Sequence, residues 1–247
     1  MRASIQTRGG LVEAAGRATV YSLLATGLAL PSAQRLALLD TTLLPAVELL
    51  ELPGALDSAI RDLGPRLPSD LDTWRDGHMA LFPPITSPDA PGYETAYRGD
   101  GIFQQTTLLA DIAGFYRAHG LRAGGTEKER LDHITVELEF MAILARKAFH
   151  ALRSGQPNDA EICSDMAALF LQDHLGCWAP AYGRRVSTVS ASPWYRSLGA
   201  LLTQWVESDA EAEGVSPVEV VEEPLPFESP DDGSCGPCGG PGAGSMP

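Results

Sequence analysis

Residues 126–152 read TEKERLDHITVELEFMAILARKAFHAL. Leu131, Ile134, Leu138, Met141, Ala145, Ala148 and Leu152 recur at alternating steps of three and four, which sets them along one side of a helix. Val136, Phe140, Ile143, Leu144 and Phe149 widen the apolar surface beyond a single stripe, as in a helix surrounded by others. Its polar residues, Asp132, His133, Glu137 and Glu139, gather at the N-terminal end. Two starts fit the spacing. Thr126 with Glu129 matches a capping box, and Asp132 is equally an N-cap type.

Outward from this helix the same periodicity repeats. Helices are expected over 10–30, over 33–50 with a kink or break at Pro45, over 54–63, from Ser69 or Asp70 to Phe82, over 103–119 with Gly120 as the residue after its end, over 158–175 capped by Asn158, and over 193–209. Residues 83–101 are rich in Pro, Gly, Asp and Ser and read as a long loop of the kind that often carries function. CWAPAYGRRVST, 177–188, reads as a turn with a short helix at most. The chain has neither strand-like alternation nor an internal repeat. The expectation is an all-α protein: one multi-helix bundle domain over 10–209, a disordered start over 1–9, and a disordered acidic Gly/Pro-rich tail over 210–247.

The formal charge of −14 is uneven: of 32 acidic residues, 10 follow Val206, where there is no Lys or Arg. No basic patch for nucleic acid exists in either part. The apolar run 18–30 stops at Pro31 and is too short to span a bilayer, and no signal peptide is evident. Four cysteines in 247 residues do not make a disulfide framework, so the expected location is the reduced cytoplasm.

Candidate chemistry is sparse. The chain has no nucleophile elbow, P-loop or HExxH motif, so Asp132 and His133 lack the partners of a catalytic dyad, and no enzyme activity is expected. They fit a helix cap or a binding site. Glu137 lies four residues after His133 and can share its face, while Glu139 points elsewhere, toward solvent or Arg130. His174 and Trp178, also four apart, fit a buried histidine with one satisfied nitrogen and a packed indole. Cys235 and Cys238 in CGPC have the spacing of redox and zinc sites; a full zinc site needs four ligands and Cys163 and Cys177 lie inside predicted structure, which leaves a partial site or one shared between two chains. A helical protein that handles metal or thiol redox through CGPC is the alternative function.

The Asp132-His133 pair followed by VELEFMAIL resembles the signature of the TorD/DmsD/NarJ family of molybdoenzyme maturation chaperones. RATVYSLL (17–24), HMALFPP (78–84), the Pro91-Gly92-Tyr93-Glu94 to Tyr97 segment, the Gly114-Phe115-Tyr116 to Gly120-Leu121 segment and FLQDHLGCW (170–178) are similar to further family elements, in the same order. His78 and Arg130 depart from the pattern, which commonly has an aromatic and a proline there. The resemblance implies a chaperone that holds the apo catalytic subunit of a molybdenum-cofactor oxidoreductase of the DMSO reductase type, by its signal peptide, until the cofactor is inserted. It also implies a peptide groove formed by Leu81, Phe82, Tyr93, Glu94, Asp132, His133 and Glu137, with Asp132 on a peptide arginine and Leu81 and Phe82 under its apolar run. Such a chaperone works as a monomer or homodimer and needs no cofactor. The family likeness implies a weak GTP or GDP site, and the tail cysteines are a minor candidate for zinc.

Overall fold

A computed structural model describes residues 2–83, 89–99, 101–122 and 129–220, with side chains from residue 9 onward. Among these residues the chain is helical and forms no strand. In order come α1 (Arg2–Leu28), α2 (Ala33–Leu38), α3 (Leu44–Val47), α4 (Gly54–Arg61), α5 (Leu71–Leu81), α6 (Thr95–Arg98), α7 (Ile102–Ala118), α8 (Ile134–Arg153), α9 (Pro157–Phe170), α10 (Gly176–Val189) and α11 (Pro193–Ala212).

The central helix is α8. Ile134, Leu138, Phe140, Met141, Leu144, Ala145 and Ala148 are buried along it, between α1 and α9. Its aromatic neighbours interlock: Phe140 meets Tyr116 at 4.8 Å and Phe170 at 4.9 Å between ring centroids. A second layer forms where α10 crosses α11. Here the backbones touch through glycine, since a Cβ on Gly199 would lie 2.6 Å from the Gly183 carbonyl oxygen. An ionic clamp ties α1 to α11. Arg17 Nε lies 2.9 Å from Asp209 Oδ1, Arg17 Nη2 donates to Oδ2 at 3.0 Å, and the Tyr21 hydroxyl donates to the same Oδ2 at 2.5 Å. Arg17 also pairs with Glu213.

Several expectations hold in detail. Asp70 caps α5, accepting from Thr73 N at 2.8 Å, and Trp74 is fully buried behind it. Gly120 follows α7 with φ +72°. The second expected helix stays continuous over 33–47 but is irregular at Pro45: α2 passes through a π turn over Leu39–Leu43 into α3.

Others are corrected. Helix α1 begins at Arg2, where a disordered 1–9 was expected. The loop over 83–101 contains α6. Helix α9 opens with Pro157 after Gln156, so Asn158 is inside it and does not cap it. CWAPAYGRRVST is helix α10 in full, with Pro180 in its second turn, where a single hydrogen bond is forfeited. The first part of the expected tail is packed onto the body: Val220 N donates to Cys177 O at 3.0 Å, and Ser216 N to Gln172 Oε1 at 2.8 Å. The rest of the tail, with Cys235 and Cys238, lies outside the described residues.

Candidate functional site

Two of the segments that carry the family likeness, residues 91–97 and the Asp132-His133 pair, meet at the start of α8. An antiparallel bridge joins Tyr93 to His133, with Ile134 N donating to Gly92 O and Glu94 N to Asp132 O, each at 2.9 Å. Glycine at 92 keeps this approach close, since a Cβ there would lie 3.2 Å from His133 Nε2 and push the ring by a few tenths of an ångström. The Tyr93 and His133 rings then stand edge to face at 5.1 Å.

Thr126 lies outside the described residues, and His133, not Asp132, caps α8. Its Nδ1 accepts from Thr135 N at 3.4 Å and lies 2.7 Å from the Thr135 hydroxyl. Burial holds its pKa down at about 4, against the raising effect of Asp132, so the ring is neutral near pH 7. With Nδ1 accepting, the proton sits on Nε2. Asp132 is completely buried and caps the neighbouring helix α6: Thr95 N and Oγ1 donate to its Oδ2 at 3.2 and 2.7 Å. Arg130 covers it from outside and is half exposed.

Behind this pair lies a polar interior. Glu94 and Glu137 have no exposed surface. Glu94 is paired with Arg98 and lies 3.1 Å from His174 Nδ1. Glu137 accepts from Trp178 Nε1 at 3.0 Å, so it meets the indole and not His133 as its spacing suggested. Burial, and next the charge of Glu94, raise the Glu137 pKa well above the carboxylate range. His174 and Trp178 are buried as expected, the former with Nε2 3.2 Å from Asp111 Oδ2.

The other half of the expected groove is the end of α5. Leu81 is buried in the core, whereas Phe82 is half-buried and packs on His78 at 4.9 Å and on Tyr195 at 5.8 Å. The Tyr195 hydroxyl accepts from Trp74 Nε1 and is hydrogen-bonded with His78 Nδ1, each at 3.0 Å. Burial lowers the His78 pKa to about 4, and His133 is near enough to add to the effect. Tyr93, Glu94, Asp132, His133 and Glu137 therefore form one cluster, and Phe82 with His78 stands within electrostatic reach of it. A ligand can touch Tyr93, Arg130, His133 and Phe82; Leu81, Glu94, Asp132 and Glu137 shape the site from behind.

Sequence spacing missed Thr95, Arg130 and Tyr195 as members of this region. Tyr195 and Trp74 are far apart in sequence, and no local period links them. Arg130 was noticeable as a departure from the family pattern and as a possible partner of Glu139, not as a partner of Asp132. The described residues hold no cluster of His, Cys, Asp and Glu suited to a metal ion. Cys163 and Cys177 are buried free thiols, each with its pKa raised first by burial. No helix among the described residues is long and apolar enough to cross a membrane.

The family model described as nitrate reductase delta subunit matches residues 50–182. The chain is 30% identical over 204 residues to the perchlorate reductase assembly chaperone protein of Dechloromonas aromatica, a match covering 79% of this chain and 88% of that protein. It is 32% identical over 110 residues to the chlorate reductase assembly chaperone protein of Ideonella dechloratans, covering 44% of this chain and 55% of the relative. It is 30% identical over 120 residues to chaperone protein TorD of Vibrio cholerae, covering 47% and 51%. Against the last two, the match spans about half the length of the relative.

Proposed function

The chain belongs to the TorD/NarJ family of reductase assembly chaperones, and from that premise we propose that it binds the N-terminal signal peptide of an apo-reductase in the cytoplasm and holds it until the molybdenum cofactor is in place. The role is that of a chaperone in molybdoenzyme maturation and not of an enzyme. The client is the catalytic subunit of a molybdenum-cofactor oxidoreductase of the DMSO reductase type. Neither a guanine nucleotide nor zinc at Cys235 and Cys238 is required for this work.

One observation carries the reading: buried carboxylates stand directly behind an aromatic rim. Asp132 supplies fixed negative charge at the start of α8, Tyr93 and His133 stand over it, and Phe82 lies to one side. A signal peptide has basic residues followed by an apolar run, and this surface offers a charged end and an apolar end. The two ends of the groove are Asp132 with His133, and Phe82 backed by Leu81.

Asp132 itself is a poor probe, because Asp132→Asn would also weaken the cap of α6. Tyr93→Ala leaves every buried carboxylate in place. Titration calorimetry with the cognate reductase signal peptide should show binding to the wild type and about tenfold weaker binding to Tyr93→Ala, the loss typical of a stacked aromatic contact. Equal affinity for both, with equal helical content by circular dichroism, would remove this rim from the binding surface.

A further inference from the structure

Asp132 is already occupied by an arginine of its own chain. Arg130 Nε donates to Asp132 Oδ1 at 3.1 Å and Nη2 to Oδ2 at 3.0 Å, the two-pronged match of guanidinium to carboxylate. Nη2 also donates to Thr95 Oγ1 at 2.8 Å, and the guanidinium carbon lies 4.8 Å from the centre of the Tyr93 ring. Carboxylate, hydroxyl and aromatic wall together make a complete recess for one guanidinium group.

The two partners are held very differently. Asp132 is fixed without Arg130, by Thr95 N and Oγ1 at its carboxylate and by Glu94 N at its carbonyl. Arg130 is half exposed, and leaving the recess removes it from no apolar core. A guanidinium from outside can therefore take its place without rearranging the body. Exposed Glu129 adds negative charge close enough to act on Tyr93, which favours approach of a second cation.

We propose that Arg130 is a resident competitor: it fills the recess of Asp132, Thr95 and Tyr93 until an arginine of the bound peptide displaces it. This deepens the peptide-binding reading above and rests on it. A side chain two residues from its partner competes at an effective concentration in the millimolar range or above. The affinity of any guest falls by the fraction of recesses left open. Lysine offers no planar fork to replace the one it evicts. Arg130 lowers the affinity of every guest by the same factor, so a lysine, the weaker guest of this recess, is the first to drop below useful binding.

Two variants of the full chain test this, Arg130→Gln and Arg130→Lys, with two synthetic peptides that carry either two arginines or two lysines before the same apolar run. Arg130→Gln should bind the arginine peptide about tenfold tighter than the wild type, the gain expected from removing one charge-assisted competitor, with a similar gain for the lysine peptide, which stays the weaker ligand of both forms. N-acetyl-arginine amide at millimolar concentration should raise the thermal midpoint of Arg130→Gln and leave the wild type unchanged. If Arg130→Gln fails to fold, Arg130→Lys keeps a positive charge beside Asp132 without the fork, and a severalfold gain for the arginine peptide is expected there. Wild-type affinity in the folded variants, with no response to the arginine amide, overturns the proposal and leaves the peptide-binding reading standing. A response to the arginine amide with no peptide binding by any form supports the recess and its resident, and removes the peptide reading instead.

Discussion

Glu137 shows how a residue chosen for one face serves another. Its spacing from His133 suggested a pair, yet the backbone turns its carboxyl inward to Trp178, forty-one positions away, where no local period could reveal it. Its pKa is raised, so the folded chain holds a proton that the unfolded chain releases above the ordinary glutamate range. The stability tied to that proton is complete at low pH and is lost as pH rises toward the folded-state value. Glu137→Gln keeps the shape and an acceptor for the indole N–H but cannot ionise. It should stabilise the protein by about 1–2 kcal/mol at pH 7.5 and by less at pH 5, as read from urea unfolding at the two values. A loss of stability at both would mean that the carboxyl is held ionised by partners it does not share with a glutamine. The caps follow the same lesson. Asp132 is a cap, as its residue type indicates, but of α6, because the Tyr93–His133 bridge turns the preceding loop onto it.

At the scale of elements, α8 was legible because its apolar spacing is long and regular, and α10 was not. Pro180, Gly176 and Gly183 read as breakers along 177–188 and its approach. In the folded chain the glycines are contact points: Gly183 meets Gly199 where α10 crosses α11, and Gly176 lies beneath Pro217. The tertiary packing that repays the weak helix propensity is invisible in the segment itself. Gly199→Ala should cost about 3 kcal/mol or more, since its Cβ would lie 2.6 Å from Gly183 O and 2.9 Å from Ser187 N, both backbone atoms. Gly114→Ala, in the open on α7, should be neutral or stabilise by up to about 1 kcal/mol. Thermal melts of the two variants check the contrast, and similar midpoints would show that the helix crossing can widen at little cost.

For the molecule as a whole, the helical body, its single central helix and the acidic bias of the C-terminal part were all readable from composition and period. The boundary of the body was not. Residues 213–220 have no helical pattern and few apolar groups, so the sequence assigns them to the tail, yet Glu213 pairs with Arg17 and Ser216 and Val220 bond to the backbone and side chains of 172–177. A chain ended at Ala212 should therefore melt roughly 5–10 °C below one ended at Val220, a loss of about 2–3 kcal/mol in a body of this size. Equal midpoints would show that this segment rests on the body without supporting it. The site was legible as a set of motifs but not as a surface, because spacing does not distinguish the buried Asp132, Glu94 and Glu137 from the accessible Tyr93 and His133. The central claim, that this rim receives the N-terminal segment of a reductase, is tested most directly by a photo-crosslinking phenylalanine placed at Tyr93, and for comparison at the remote, exposed Leu49, in chain co-expressed with the cognate apo-reductase. The account predicts an adduct from position 93 that maps by mass to the reductase's N-terminal signal segment, with none from position 49. Adducts of equal yield from both positions, or adducts from position 93 that lie wholly outside that segment, would contradict it.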